Sequence, residues 1–347
     1  MADDPATRSL SSPDTFRGTA PRDMVGPDPA LAGLDDEEVG RTAVAALLPA
    51  LRPWVRTTPV LRIDRSELGL PPGPLVLKLE ELQHSGSFKA RGAFANLLLH
   101  EAPEEGVVAA SGGNHGAAVA YAASRLGIPA TVFVPEVSSA AKLARIEAYG
   151  AHLVVGGASY DDARAAAAEF RTRTGALDVP AFDAVGTILG AGSIALELQE
   201  QAPDVATVLA AVGGGGLLAG LSAGYDGAAA VVGAEPVDAP TLSDALAAGA
   251  PVDAPVGSVA IDSLAPRRIG THTFAVISRL GAGAVLVGDD AIREAQALLW
   301  DRLRLVLEPG GAAALAALLD GRYSPDPTET VAVVLSGANT TAVDFDR

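Results

Sequence analysis

The chain of 347 residues contains no cysteine, which excludes disulfide bonds, zinc sites with thiolate ligands and cysteine nucleophiles. Basic residues are also few, with 25 lysines and arginines against 42 acidic residues and a formal net charge of −17. This charge repels nucleic-acid phosphates and anionic lipid headgroups, so we expect neither nucleic acid nor membrane as a partner. The sequence also lacks an apolar run long enough to span a bilayer and an apolar N-terminal signal segment, and we expect a cytoplasmic protein.

Lysine is unusually scarce in this chain. Only Lys78, Lys89 and Lys142 are present, against 22 arginines. Arginine supplies surface positive charge equally well, but its guanidinium stays protonated and cannot form an imine. Lys89 follows a turn of small residues, residues 85–87, and begins a predicted helix. It is therefore our candidate for amine chemistry, although on position alone a solvated lysine in a first helical turn is the commoner case.

The content of hydrophobic residues, 49% against 19% charged residues, is typical of a folded chain with a large core. From about residue 75 short apolar runs alternate with amphipathic stretches, which predicts βαβ units and an α/β fold with a parallel sheet. Residues 1–37 mix Pro, Asp, Ser and Thr without apolar periodicity. We expect them to form a flexible tail.

Two glycine-rich motifs follow predicted strands and begin predicted helices. In the first, residues 111–116, the backbone N–H groups can bind a carboxylate or a phosphate, and Asn114 can fix a hydroxyl or phenolate oxygen. In the second, residues 213–216, four glycines allow a phosphate to approach the backbone closely. No Gly-Lys-Ser/Thr follows, so this is not a Walker loop. Ordinary turns are the alternative interpretation of both motifs.

Two further polar residues lie near predicted element boundaries. Ser336 follows a run of apolar residues and is predicted to lie at the carboxyl end of a strand, where open α/β sheets bind ligands. Glu308 precedes Pro309 and a predicted helix, and it is either a ligand-binding group or a solvated acid.

The segment around Lys89 resembles the lysine signature of the serine/threonine dehydratase family. It reads Lys78-Leu79-Glu80 and then Gln83-His84-Ser85-Gly86-Ser87-Phe88-Lys89-Ala90-Arg91-Gly92-Ala93. The other motifs follow in the order of that family, and four ordered motifs are far more specific than any one of them. The resemblance implies a fold-type-II, tryptophan-synthase-β-like enzyme with pyridoxal 5'-phosphate as its cofactor.

The same resemblance implies the organisation of the chain. We expect two open, twisted, mainly parallel sheets flanked by helices, with a large domain of residues 38–104 and 187–347. Residues 105–186 would form a small domain, and the active site would lie in the cleft between the two. We also expect a homodimer.

The resemblance further implies a role for each site residue. Lys89 would hold the cofactor as a Schiff base, Phe88 would pack beside it, and Glu308 would lie near its ring. Asn114 would meet the cofactor 3-hydroxyl and Ser336 its pyridine nitrogen. The phosphate would be bound by Gly213, Gly214, Gly215 and Gly216. The substrate carboxylate would be bound by Ser111, Gly112, Gly113, Asn114 and His115.

The activity implied is the eliminative deamination of L-threonine or L-serine to a 2-oxo acid and ammonia. The alternatives are racemisation, β-replacement or dehydration of another hydroxy amino acid on the same scaffold, and a regulatory protein that binds phosphate without catalysis. A panel of β-hydroxy amino acids would separate the catalytic alternatives.

Three departures from family patterns bear on these alternatives. Racemising relatives carry a second serine where this chain has Gly112, so we expect little racemisation. Relatives that bind a divalent cation near Glu235 place a second acid where this chain has Thr241, so we expect no metal. The chain ends soon after Ser336, and we expect no appended regulatory domain and no feedback inhibition by isoleucine.

Overall fold

The structure is a computed structural model, and it describes residues 28–264 and 266–343. Residues 1–27 of the predicted tail lie outside the described residues. The remainder of that predicted tail is partly packed, because a short 3₁₀ helix, Pro29–Gly33, brings Leu31 into the main hydrophobic core with 6% of its surface exposed. Burial of this apolar side chain offsets the cost of ordering the segment.

Ten strands of the described residues form two sheets. The larger sheet has the order β1-β2-β10-β7-β8-β9, and the smaller has the order β5-β4-β3-β6. All neighbouring strands are parallel except β1 and β2. The strands are β1 (Val60–Asp64), β2 (Pro74–Leu79), β3 (Val107–Ala110), β4 (Ala130–Val134), β5 (His152–Val155), β6 (Leu177–Asp178), β7 (Thr207–Ala211), β8 (Ala230–Pro236), β9 (Gly283–Val287) and β10 (Val331–Leu335).

Helices flank both sheets. They are α1 (Arg41–Leu51), α2 (Lys89–Leu99), α3 (Asn114–Leu126), α4 (Ala140–Ala148), α5 (Tyr160–Thr174), α6 (Val185–Gln201), α7 (Gly216–Tyr225), α8 (Thr241–Ala248), α9 (Ile261–Leu264), α10 (Thr271–Leu280), α11 (Asp289–Leu298) and α12 (Pro309–Leu319). Within the described ranges, no helix combines the length and the apolar character that a bilayer span requires.

The central strands explain why the sheets are parallel and covered on both faces. Every residue of β7 and β10 is buried, and both strands are continuous apolar or small runs without alternation. Such strands need helices on both sides, as βαβ connections provide. The predicted α/β class with two mainly parallel sheets is confirmed. The smaller sheet uses strands within residues 107–178, while the predicted domain boundaries at 105 and 186 stay a prediction.

Three adjacent strands of the larger sheet have their carboxyl ends at the same edge of the sheet. β10 lies between β2 and β7, and all three run parallel. The segments that follow their carboxyl ends carry Lys89, Ser336 and the glycines of residues 213–216. An antiparallel bridge between Ser87 and Gly337 joins the first two segments. The fold therefore brings together motifs that are far apart in the sequence.

A buried cluster of four charges holds the start of α2 against the larger sheet. Its members are Lys78 on β2, Glu80 just after it, Arg91 on α2 and Glu197 on α6, and none is more than 4% exposed. The Arg91 guanidinium donates to Glu80 at 2.8 Å and to Glu197 at 2.7 Å. Lys78 Nζ donates to Glu197 at 2.6 Å. The two positive and two negative charges compensate each other.

The pKa values follow from this pairing. Burial would raise the pKa of the Glu80 carboxyl, but the charge and the hydrogen bonds of Arg91 outweigh burial and hold that pKa below its usual value. For Arg91, burial acts to lower the pKa, whereas Glu80 and Glu197 raise it above its usual range. Each charge in the cluster therefore depends on its partners.

We predict that Glu197→Gln lowers the free energy of unfolding by about 3–5 kcal/mol, because it leaves buried positive charge uncompensated. Glu200→Gln is the matched control on the same helix. Glu200 contacts Arg52 at 3.2 Å, but its side chain is 65% exposed, so its loss should cost less than about 1 kcal/mol. Urea denaturation of both variants measures the difference, and equal effects would contradict the role given to the cluster.

Glu81 lies next to this cluster in sequence but has no ionic partner there. Its carboxyl is buried, and neither oxygen has a hydrogen-bond partner among the described residues. Burial raises the pKa of Glu81 from 4.5 to about 8. The folded protein therefore holds this carboxyl neutral at neutral pH.

We predict that Glu81→Gln makes stability less dependent on pH. Because the folded-state pKa is raised, the stability linked to Glu81 is fully present below pH 4.5 and is lost as the pH rises toward 8. The loss amounts to about 1.4 kcal/mol per pH unit between these values. The free energy of unfolding of the wild type and the variant, measured from pH 5 to 8, tests this. Parallel pH profiles would show that Glu81 is not the group responsible.

Candidate active site

Lys89 begins α2, and its amine points away from the helix toward the segment that follows β6. Lys89 Nζ donates a hydrogen bond to the Ala181 carbonyl at 2.7 Å and lies 4.9 Å from the centroid of the Phe88 ring. Burial lowers the pKa of the Lys89 amine to about 8, while the carboxyl of Glu308 acts in the opposite direction. An amine with this pKa is unprotonated more often than an exposed lysine, and it is a better nucleophile at neutral pH.

The loop of four glycines lies beside the segment that Lys89 contacts. A Cβ atom on Gly214 would lie 2.2 Å from the Phe182 ring, and one on Gly213 would lie 3.1 Å from Leu264 Cα. Gly215 has a φ of +92°, a left-handed conformation that favours glycine. Gly216 begins α7, whose first backbone N–H groups have no partner within the helix. The loop therefore offers bare N–H groups to an anion.

Asp183 fixes the segment that lies between Lys89 and the glycine loop. Its carboxylate accepts hydrogen bonds from the backbone N–H groups of Thr271, His272 and Thr273, at 2.9, 2.9 and 3.2 Å. These groups begin α10, where a carboxylate is favourable. Neither Asp183 nor Phe182 was singled out from the sequence, because their role depends on contacts with residues about 30 or more positions away.

Ser336 lies immediately after β10 and is 6% exposed. Its Oγ is 3.5 Å from the Gly310 carbonyl, the outer limit of a hydrogen bond, so the hydroxyl can still take a better partner. The Ser336 carbonyl accepts from the Phe88 backbone N–H at 3.1 Å. Ser87 Oγ is buried without a hydrogen-bond partner among the described residues. Ser336 and the turn before Lys89 are thus in direct contact.

Asn114 is held by two side chains from the large sheet's edge. Asn114 Nδ2 donates to a carboxylate oxygen of Glu308, and Asn339 Nδ2 donates to Asn114 Oδ1 at 2.5 Å. Asn339 also donates to the Ser85 carbonyl at 2.9 Å. Burial raises the pKa of Glu308, and the hydrogen bond from Asn114 opposes this. Asn339 belongs to the Ser336 motif, but the sequence did not indicate its contact with Asn114.

The loop of residues 111–115 lies at the carboxyl edge of the smaller sheet. Ser111 Oγ accepts from the Gly113 backbone N–H at 3.2 Å. His115 Nε2 lies 2.7 Å from the Val179 carbonyl, so its imidazole is directed away from the loop. Burial, helped by the charge of Lys89, lowers the pKa of His115 to about 3 and keeps the ring neutral. His115 can therefore contribute to anion binding through its backbone N–H in the first turn of α3.

A small cavity joins this loop to the large sheet's edge. Two contacts cross it, the Lys142–Asp262 ion pair at 3.0 Å and a hydrogen bond from Arg145 to the Asn339 side-chain oxygen. The cavity is lined by Gly112, Gly113, Asn114, Ala117, Lys142, Arg145, Asp262, Glu308 and Asn339. Predicted substrate-binding and cofactor-binding residues therefore line one space.

Residues 51–337 match the family described as "Pyridoxal-phosphate dependent enzyme". The chain belongs to this family. Its cofactor is accordingly pyridoxal phosphate, as the resemblance implied. The predicted fold-type-II architecture is confirmed as well.

Curated relatives of this pyridoxal-phosphate enzyme include two with dehydratase or ammonia-lyase names. The chain is 38% identical to the phenylserine dehydratase of Ralstonia pickettii over 315 residues, which cover 88% of this chain and 95% of the relative. It is also 38% identical to the L-threonine ammonia-lyase of Geobacter sulfurreducens over 296 residues, covering 83% of this chain and 73% of the relative.

Two solved structures are also similar. A threonine deaminase from T.th. superposes with a TM-score of 0.79 at 37% identity, covering 87% of this chain and 98% of that one. The maize serine racemase has a TM-score of 0.81 at 29% identity, covering 88% of this chain and 94% of that one.

The residues present fit pyridoxal phosphate. Side chains are excluded from the glycine loop, because a Cβ at Gly213 or Gly214 would crowd Leu264 or Phe182, and its backbone N–H groups stay uncovered for a phosphate. Lys89 contacts the Ala181 carbonyl, next to the Phe182 that packs against this loop, and Ser336 keeps a hydroxyl without a strong partner. These assignments to the cofactor stay predictions, and the geometry supports them.

The Glu235 carboxylate is engaged by the beginning of α8. It accepts from the backbone N–H groups of Leu242 and Ser243 at 2.5 and 2.9 Å and from Ser243 Oγ at 2.9 Å. Burial raises the pKa of Glu235 to about 7. Thr241 Oγ1 donates to the Pro266 carbonyl at 3.1 Å. A cation would have to compete with these bonds, and the expected lack of a metal here stays a prediction.

We predict that Asn339→Ala weakens binding of pyridoxal phosphate about fivefold, because Asn114 loses a hydrogen bond that orients its amide. Titration of the apoenzyme with cofactor, followed by visible absorbance, measures the dissociation constant. Thr341→Ala, an exposed change two residues further along the same segment, is the control and should have no effect. Equal affinity in wild type and Asn339→Ala would show that Asn339 does not position Asn114 for the cofactor.

Proposed function

We propose that this enzyme is an ammonia-lyase that converts L-threonine, L-serine or both to a 2-oxo acid and ammonia by β-elimination. The observation that carries the proposal is the Lys89 amine, which contacts the segment packed against the glycine loop and has its pKa lowered to about 8. The names of the relatives support a reaction of this class. Membership of an enzyme family favours catalysis over the non-catalytic phosphate-binding regulator.

Lys89 is the residue that would move the α-proton of the substrate. Bound pyridoxal phosphate supplies a sink for the electrons of the α-carbon. With a pKa of about 8, roughly one Lys89 amine in ten is unprotonated at pH 7 when it is free to act as a base. The loop of residues 111–115 would hold the substrate carboxylate through backbone N–H groups, which fixes the α-carbon relative to Lys89 Nζ.

Ser336 supports elimination over other outcomes. A serine hydroxyl is neutral, so at the pyridine nitrogen it would not stabilise a protonated ring as a carboxylate would. Electrons released at the α-carbon would then leave by breaking the β C–O bond. Water lost in this step is added back when ammonia is released, and the net products are the 2-oxo acid and ammonia.

Serine racemase is the second candidate, because the maize enzyme of that name is among the similar structures. Gly112 favours the lyase, since it offers no side chain to act on the face of the substrate opposite Lys89. The relative named phenylserine dehydratase adds phenylserine to the candidate substrates, because phenylserine is also a β-hydroxy amino acid. We propose the two small substrates first, as the sequence resemblance implied.

Other proposals concern the assembly and its location. We propose a homodimer and a cytoplasmic protein, as the sequence led us to expect. The division into a large domain and a small domain at residues 105 and 186 is proposed likewise, and the two separate sheets support it.

We predict that the holoenzyme releases 2-oxo acid and ammonia in equal amounts from L-threonine or L-serine, with almost no D-serine formed. Keto-acid and ammonia assays over L-threonine, L-serine and phenylserine, with chiral chromatography of the serine incubation, measure this. Lys89→Ala should abolish turnover, because it removes the proposed base and anchor. Substantial D-serine from the wild type would instead favour the racemase, and undiminished turnover by Lys89→Ala would refute the role of Lys89.

A further inference from the structure

The loops that follow β3 and β4 lie side by side at the carboxyl edge of the smaller sheet. β3 and β4 are parallel neighbours, with Ala110 opposite Phe133. The Ser111 backbone N–H donates to the Phe133 carbonyl at 3.0 Å, which extends this pairing into the loops. The first loop carries residues 111–113, and the second carries Ser138 in a turn closed by its N–H bond to the Pro135 carbonyl at 3.0 Å.

Ser138 occupies the space that a side chain at position 112 would need. A Cβ atom on Gly112 would lie 2.4 Å from Ser138 Oγ and 3.2 Å from Ser138 Cβ. A Cβ does not approach another heavy atom to 2.4 Å, and 3.2 Å is already tight, so the two positions are sterically coupled. Glycine at 112 and serine at 138 are thus complementary, with the hydroxyl supplied by the neighbouring loop.

The Ser138 hydroxyl is available for a ligand. Among the described residues it makes no hydrogen bond, and the residue is partly exposed. It lies against Gly112, which lines the cavity together with Lys142 and Arg145. Lys142 is paired with Asp262, and Glu308 also lines the cavity, so the charges near the loop are mixed. The hydroxyl and the backbone N–H groups of the loop are the donors that suit an anionic group of the substrate.

We propose that Ser138 is a substrate-binding residue whose hydroxyl donates a hydrogen bond to the α-carboxylate of the amino acid. This proposal rests on the proposed function, because it places the substrate carboxylate at residues 111–115. The proposed bond engages the Ser138 hydroxyl with the carboxylate and not with the α-carbon, so the lack of a side chain at position 112 still disfavours racemisation. A substitution at Gly112 alone should disturb the site, because the new side chain would displace Ser138 Oγ.

The test uses holoenzyme and two ligands that cannot undergo β-elimination of water. L-alanine carries the carboxylate, and isopropylamine has the same amine and methyl group with a second methyl group in its place. Titration followed by visible absorbance gives each dissociation constant. Ser138→Ala should bind L-alanine about tenfold more weakly and isopropylamine as the wild type does, because only the bond to the carboxylate is lost.

Two further variants sharpen the test. Ser139→Ala is the matched control, since Ser139 is the next residue, is exposed and makes no side-chain capping bond to α4, so both affinities should stay unchanged. The double variant Gly112→Ser, Ser138→Ala places the hydroxyl on the loop of residues 111–113 instead. This double variant should bind L-alanine with an affinity within about threefold of the wild type.

Two results of the Ser138→Ala titration would overturn the proposal. Unchanged affinity for L-alanine would show that the hydroxyl does not contact the carboxylate. Equal weakening of L-alanine and isopropylamine binding would show a structural role instead. If the double variant does not fold, the comparison of the two ligands on Ser138→Ala still decides. If the wild type released no 2-oxo acid, the proposed lyase activity would be refuted. The binding measurements would still test whether Ser138 contacts the carboxylate.

Discussion

The position of Lys89 depends on the buried charges that anchor the first turn of α2. Arg91 lies two residues beyond Lys89, and it forms ion pairs with Glu80 and Glu197 while fully buried. Charges in such surroundings tolerate little movement, because each loses its compensation if the distance grows. The helix therefore begins at a fixed place against β2 and α6, and the amine of Lys89 is directed to the Ala181 carbonyl.

The site is built where parallel strands end, and few of its contacts are local. β10 connects the two halves of the site, since the segment after it contacts both the turn before Lys89 and the Asn114 side chain. Asp183 ties the segment beneath Lys89 to the start of α10. Burial of the Lys89 amine lowers its pKa. The packing that orders the site therefore also makes this amine a better nucleophile at neutral pH.

Much of the fold and of the candidate site could be predicted from the sequence, because the patterns that indicate them lie within short segments. The alternation of apolar runs predicted the α/β fold, and the resemblance of the segment around Lys89, together with the order of the other motifs, indicated the family. The roles of Phe182, Asn339 and Ser138 could not be predicted, since each depends on which loops become neighbours in the folded chain. Leu31 was missed for a similar reason, because the few apolar residues around it form too short a run to show a periodicity.

The central claim is that Lys89 is the amine that attaches the cofactor, and the three lysines of the chain make it directly testable. Borohydride reduction of the holoenzyme, followed by digestion and mass spectrometry, identifies the lysine that carries the reduced cofactor. We predict that the visible absorbance disappears and that the label is found on Lys89. Label on Lys142, which lines the neighbouring cavity, or on Lys78 would contradict the account.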